Sequence, residues 1–174
     1  QRRRLEAIAP ALVDLAAGRK PAIRHHWFEG TKGIAKTAMV ADCLNWTHAF
    51  SPRPLTIQVL AKDWDQASEV LRSVKERIWL NPYLADRVKI QSSRILNSRG
   101  DVVTEICTSD SYGLHGSRPD LLILDELSNM ARPEAETAWN NFVTMPNGVA
   151  IVCLNPGVIG SWQHAWMLRA QNSD

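Results

Sequence analysis

Apolar residues fall into two kinds of run along the chain, and their alternation predicts a layered α/β domain. Leu121-Leu122-Ile123-Leu124 and Val149-Ala150-Ile151-Val152-Cys153-Leu154 are continuous, as expected of strands covered on both faces in a mainly parallel sheet. Leu55 to Ala61, entered through the stiff turn Ser51-Pro52-Arg53-Pro54, is another strand, and Ile23 to Phe28 a shorter one. Elsewhere the spacing is helical. Leu5, Ile8, Leu12, Val13 and Leu15 make residues 1–20 an amphipathic helix that stops at Gly18. Met39, Val40, Cys43, Leu44 and Trp46 mark a helix from Lys36 to Ala49.

Trp64, Ala67, Val70, Leu71, Val74 and Ile78 form one stripe from Trp64 to Leu80, with Asp63 placed to cap it and Asn81-Pro82 to end it. Val88-Lys89-Ile90 and Val102 to Cys107 flank the turn Asn97 to Asp101 and predict an inserted hairpin. Ser109 to Arg118 is polar and glycine-rich, hence a loop. Helices from Glu134 to Thr144, with Pro133 suited to a first helical position, and from Trp162 to Ala170 complete the chain. Mainly parallel strands between helices make residues 21–174 a single domain.

Composition narrows this only a little. The 174 residues suffice for one α/β domain with a sizeable core. Twenty basic against 18 acidic residues, net +2, do not announce a nucleic-acid binder, so any polyanion contact is local. Arg87, Lys89, Arg94 and Arg99 are the best candidates for a surface that tracks DNA, a solvated hairpin being the plainer account. Arg2, Arg3 and Arg4 read as a solvated helix end or as a contact for nucleic acid or a partner. Cys43, Cys107 and Cys153 lack metal-ligand spacing and read as reduced core thiols. No apolar run is long enough to span a membrane, which gives the expectation of a soluble protein.

The chemistry concentrates in two places. Gly30-Thr31-Lys32-Gly33-Ile34-Ala35-Lys36-Thr37 has the spacing of a phosphate-binding loop between a strand and a helix. In such a loop backbone N–H groups curl around a polyphosphate, Lys36 reaches the β- and γ-phosphates, and the Thr37 hydroxyl helps hold Mg²⁺. Ala35 stands where the pattern has its second glycine. If that residue needs positive φ, alanine costs about 1–2 kcal/mol; with helical φ the cost is small.

The second place is the end of the Leu121–Leu124 run, where Asp125 and Glu126 emerge at the ligand edge of the sheet. Asp125 is placed to hold Mg²⁺ and Glu126 to polarise the water that attacks a γ-phosphate. Asn155-Pro156-Gly157 ends the next buried strand at the same edge, either to sense the γ-phosphate or simply to turn the chain. His115 and Arg118 precede the acidic strand, where a structural role and an arginine finger are both open.

The succession of this loop, Asp63-Trp64-Asp65-Gln66-Ala67, Asn81-Pro82-Tyr83-Leu84, Gly113 to Asp120, the Leu-Asp-Glu strand end and Asn155-Pro156-Gly157 resembles the ATPase domain of the large terminase subunit of tailed bacteriophages. The resemblance covers roughly residues 22–165. It implies an additional-strand, RecA-like P-loop NTPase that binds ATP and Mg²⁺. It implies a homo-oligomeric ring at the capsid portal, in the host cytoplasm, whose ATP hydrolysis drives double-stranded DNA into a prohead. Portal protein and small terminase subunit are the implied partners, and no membrane is involved. By the same resemblance Lys32 contacts phosphates, Asp125 and Glu126 are the Mg²⁺-associated and catalytic carboxylates, and Asn155, Pro156 and Gly157 couple hydrolysis to movement. The family's nuclease half has no counterpart in these residues. A helicase-like translocase shares the two motifs, and a non-hydrolysing assembly module with a weakened nucleotide site is the reading of another class.

Overall fold

A strand with apolar side chains on both faces needs cover on both sides, and alternate residues of the central strands go to two separate cores. The computed structural model describes residues 2–108 and 117–172. Of the predicted loop from Ser109 to Arg118, residues 109–116, His115 included, lie outside the described residues. In order, the elements are α1 (Arg2–Ala16), β1 (His25–Glu29), α2 (Lys36–Phe50), β2 (Leu55–Ala61), α3 (Trp64–Leu80) and α4 (Pro82–Ala85). There follow β3 (Val88–Ile90), β4 (Arg94–Asn97), β5 (Val102–Thr108), β6 (Leu121–Leu124), a 3₁₀ turn (Leu127–Asn129), α5 (Arg132–Val143), β7 (Val149–Leu154) and α6 (Trp162–Asn172).

The strands form one sheet in the order β1-β7-β6-β2-β5-β4-β3. β1, β7, β6, β2 and β5 are parallel, and β4 and β3 extend the β5 edge in antiparallel sense. Leu121 and Ile123 of β6, with Val149, Ile151 and Cys153 of β7, share a core with Ile8 of α1, Met39 and Leu44 of α2 and Val70 of α3. Leu122 and Leu124, with Ala150, Val152 and Leu154, face the opposite core, closed by Ala135, Ala138 and Phe142 of α5 and by Trp162 and Trp166 of α6. Each Leu, Ile, Val, Met or Phe side chain among them contributes about 1.5–3 kcal/mol when withdrawn from water, so the helices on either face are held by the strands' period of two.

The expected helix starts and strands recur with small shifts. Asp63 caps α3 as expected, its Oδ1 accepting from the Gln66 N–H at 3.0 Å. All three cysteines are buried thiols. Two readings are corrected. Residues 94–97 form a strand, β4, so the hairpin is β4 with β5 and it widens the sheet rather than interrupting it; only Ile95 and Asn97 of the four are buried, too short an alternation to stand out. Trp64 is half exposed, because the first turn of α3 lies beyond the end of β2 and the buried stripe begins at Ala67.

Candidate functional site at the carboxyl edge of the sheet

The parallel register brings four strand ends to one edge. Glu29 lies level with Leu154, Val152 with Leu124, and Leu124 with Leu60. Gly30 and Asn155 follow the first pair, while Asp125 and Ala61 follow Leu124 and Leu60 two residues lower along β7, so all four lie at one edge with Gly30 and Asn155 reaching furthest. Because β7 lies between β1 and β6, Asn155 emerges between the loop and the acidic pair.

The loop leaves β1 with the Gly30 N–H still paired to the Leu154 carbonyl at 3.1 Å. A Cβ on Gly30 would stand 1.9 Å from Ile34 Cδ1, so a side chain there displaces the loop's own isoleucine. Ala35 has φ 60° and ψ 38°, in the left-handed region. The missing glycine thus leaves real strain, of about 1–2 kcal/mol. α2 starts at Lys36, and no side chain caps its first turn. Its free N–H groups and the positive end of its dipole are suited to an anion.

The Lys36 side chain is buried and held at both sides, donating to the Gly30 carbonyl at 2.6 Å and to Asn155 Oδ1 at 2.5 Å. The other end of the same amide, Asn155 Nδ2, donates to Glu126 Oε1 at 3.1 Å. Ser128 fixes the asparagine backbone, accepting from its N–H at 2.8 Å and donating to its carbonyl at 3.0 Å. Glu126 Oε2 accepts from Asn129 Nδ2 at 2.8 Å and from Gln66 Nε2. The Gln66 amide is oriented by its own Oε1, which accepts from the Lys62 N–H at 3.1 Å. Glu126 itself has φ 62°, a second left-handed residue at the same edge.

Asp125 is completely buried, with Oδ2 accepting from the Thr37 hydroxyl at 3.3 Å and Oδ1 without a partner among the described residues. Burial and then the neighbouring Glu126 charge push its carboxyl up to about 6, against the pull of Thr37 and Lys36. A buried, half-satisfied acid beside a loop threonine fits a divalent cation, which would supply the missing positive charge.

An open cleft of about 610 Å³ lies over these groups, lined by residues 32–38 together with Lys62, Gln66, Glu126 and Asn129. Thr31, Lys32 and Gly33 are exposed at its loop side. Of Asn155, Pro156 and Gly157 only Asn155 joins the cluster, the other two being exposed. Arg118 is exposed. The hairpin cations lie along the far sheet edge: Arg94 pairs with Glu105 at 2.7 Å, Arg99 with Asp101 at 3.0 Å, and the Arg87 guanidinium lies 3.7 Å from the Tyr83 ring centre. Sequence reasoning gave no role to Gln66, quoted only within the resemblance, or to Ser128 and Asn129, although Gln66 sits three residues after a cap and the other two come just after Leu127, which follows the acidic pair.

A mostly parallel sheet with an additional strand between the loop strand and the acidic strand, bearing lysine, threonine and two acids at one edge, defines a RecA-like P-loop NTPase fold. The family model of the terminase large subunit, ATPase domain, matches residues 19–153, and the chain belongs to that family. Among solved structures it is similar to the large terminase of bacteriophage HK97, with 19% identity and a TM-score of 0.76 over 96% of this chain and 36% of that one. It is similar to a mutant ATPase domain of the Thermus phage P74-26 large terminase, with 18% identity and a TM-score of 0.65 over 89% and 72% of the two chains. The large terminase of the thermophilic bacteriophage D6E, in complex with ATP-γ-S, matches with 11% identity and a TM-score of 0.64 over 93% and 41%. At these identities the likeness is one of fold, and the chain spans 36% of the HK97 protein. No curated protein matches in sequence.

Proposed function

We propose that this domain binds ATP with Mg²⁺ in the cleft, hydrolyses it, and uses the turnover to move double-stranded DNA into a phage prohead. The observation that carries the reading is one amide, Asn155, touching both the loop lysine and the strand-end glutamate. Family membership supports the ATPase assignment. The packaging role, a homo-oligomeric ring, and portal and small-subunit partners in the host cytoplasm are the wider part of the same proposal.

Bound triphosphate meets the N–H groups of residues 31–37 and the Lys36 ammonium, which leaves Gly30 and Asn155 for the β- and γ-oxygens. Thr37 and Asp125 would hold Mg²⁺, which would supply positive charge to the phosphates. Lys32 adds a cation at the mouth. Glu126 orients a water and takes its proton as the water oxygen bonds to the γ-phosphorus and the bond to the ADP oxygen breaks. Positioned charge of this kind is the main source of catalysis in phosphoryl transfer. Once Lys36 turns to phosphate, Asn155 Oδ1 is free, and the amide that touches Glu126 can follow. Pro156 and Gly157, exposed beyond it, are placed to pass that change outward, the coupling role.

Titration with a fluorescent ATP analogue, with and without Mg²⁺, tests the site. Lys36→Ala is expected to weaken binding by about a hundredfold; equal affinity in the variant removes the loop from its role. The left-handed Ala35 favours one second reading, an assembly module with a weakened site. Portal binding with no nucleotide binding at all would support it.

A further inference from the structure

Arg4 stands outside the stretch matched by the family model, yet its half-buried guanidinium reaches the phosphate loop and donates from Nη1 to the Ile34 carbonyl at 3.1 Å. Its Nη2 lies 3.3 Å from the position a Cβ on Gly30 would take. No acidic side chain pairs with it among the described residues.

The bonded carbonyl belongs to the peptide unit between Ile34 and Ala35. Turning that unit changes ψ of Ile34 and φ of Ala35 together, and Ala35 can leave φ 60° only by such a turn. On the other side Ala35 is already held, since its carbonyl accepts from the Met39 N–H at 3.0 Å as a first bond of α2. The peptide before Ala35 is therefore the soft one, and Arg4 is bonded to it. A hydrogen bond from a charged group is comparable in size to the cost of a left-handed alanine. Strained residues persist where their surroundings over-determine them.

We propose that Arg4 is a positioning residue for the nucleotide site: it pins the Ile34–Ala35 peptide so that alanine can stand where the loop pattern has glycine. The proposal rests on the nucleotide reading of the loop. Its physical content is a coupling between the two positions. Glycine takes positive φ freely, so the loop keeps its shape with or without the pin; alanine depends on it.

The test is a double-mutant cycle of Arg4→Ala and Ala35→Gly on the whole chain, with Arg4→Gln as a milder partner. Two readouts are taken: hydrogen exchange of the residue 33–38 amides without nucleotide, and the Kd of a fluorescent ATP analogue. In the alanine background, loss of Arg4 is expected to speed loop exchange and raise Kd about tenfold. In the Ala35→Gly background the same change is expected to move either readout by less than about threefold. Exchange in the core strands stays as it was, which separates positioning from general unfolding. Equal effects in the two backgrounds, or none in the alanine background, overturn the proposal. A chain that binds no nucleotide even with Ala35→Gly would instead overturn the nucleotide reading, while the exchange cycle still decides the role of Arg4.

Discussion

Asn155 bonds Lys36 at 2.5 Å through its oxygen and Glu126 at 3.1 Å through its nitrogen, so the phosphate-loop lysine and the strand-end glutamate share one side chain. An amide is well suited to the place, because it offers an acceptor to an ammonium and a donor to a carboxylate on a rigid plane. The topology puts Asn155 between the two: β7 lies between β1 and β6, and Asn155 is the first residue past its end.

Asn155→Ala removes both contacts while leaving the loop amides and Asp125 in place. Turnover is expected to fall by about 10²- to 10³-fold, the scale for losing one aimed polar group, with the Kd for ATP changed only a few-fold. Single-turnover hydrolysis beside equilibrium binding separates the two. Unchanged turnover would leave Asn155 as an ordinary turn residue.

The Asp125 carboxyl is pushed up to about 6 by burial and by Glu126, and under the proposed function it is expected to set the pH dependence of metal-assisted binding. Below that value it is protonated and offers a cation no charge. The Mg²⁺-dependent part of nucleotide affinity should therefore weaken with falling pH, approaching about tenfold per unit well below 6. Asp125→Asn should abolish the Mg²⁺ dependence at every pH, as read by calorimetric titration with and without the ion.

His48 gives stability its own pH dependence. It is buried against the Thr104 hydroxyl at 2.7 Å, and burial pushes its imidazole down to about 4. Between that value and the unfolded 6.5 the unfolded chain binds a proton that the folded chain does not, so stability present above 6.5 is lost as pH falls. From pH 7 to pH 5 the expected loss from this group is about 2 kcal/mol. Urea midpoints at the two pH values measure it, and in His48→Gln this part of the difference should vanish. An undiminished difference in the variant would assign it to other groups.

Much of this architecture is visible in the chain because it is local. β6 and β7 are continuous apolar runs with both faces buried, and the loop and acidic pair are contiguous stretches whose order along a parallel sheet puts them at one edge. β4 escaped notice because Arg94 to Asn97 buries two residues beside a polar stretch. The contacts that complete the site come from tertiary packing. Gln66 reaches Glu126 from α3, and Arg4 reaches Ile34 from α1, and nothing in a triple arginine says which of its members turns inward. The conformation of Ala35 was likewise open until φ was known.

Steady-state ATP hydrolysis with Mg²⁺, by the chain and by Glu126→Gln across a range of protein concentration, tests whether the domain turns ATP over with Glu126 as its base. Glu126 accepts from three side-chain amides at the mouth of the cleft, and glutamine in its place keeps the size of the group but cannot take a proton. Turnover is expected in the native chain and a fall of at least about a hundredfold in Glu126→Gln, with ATP binding retained in both. Equal turnover in the two would contradict that role for Glu126.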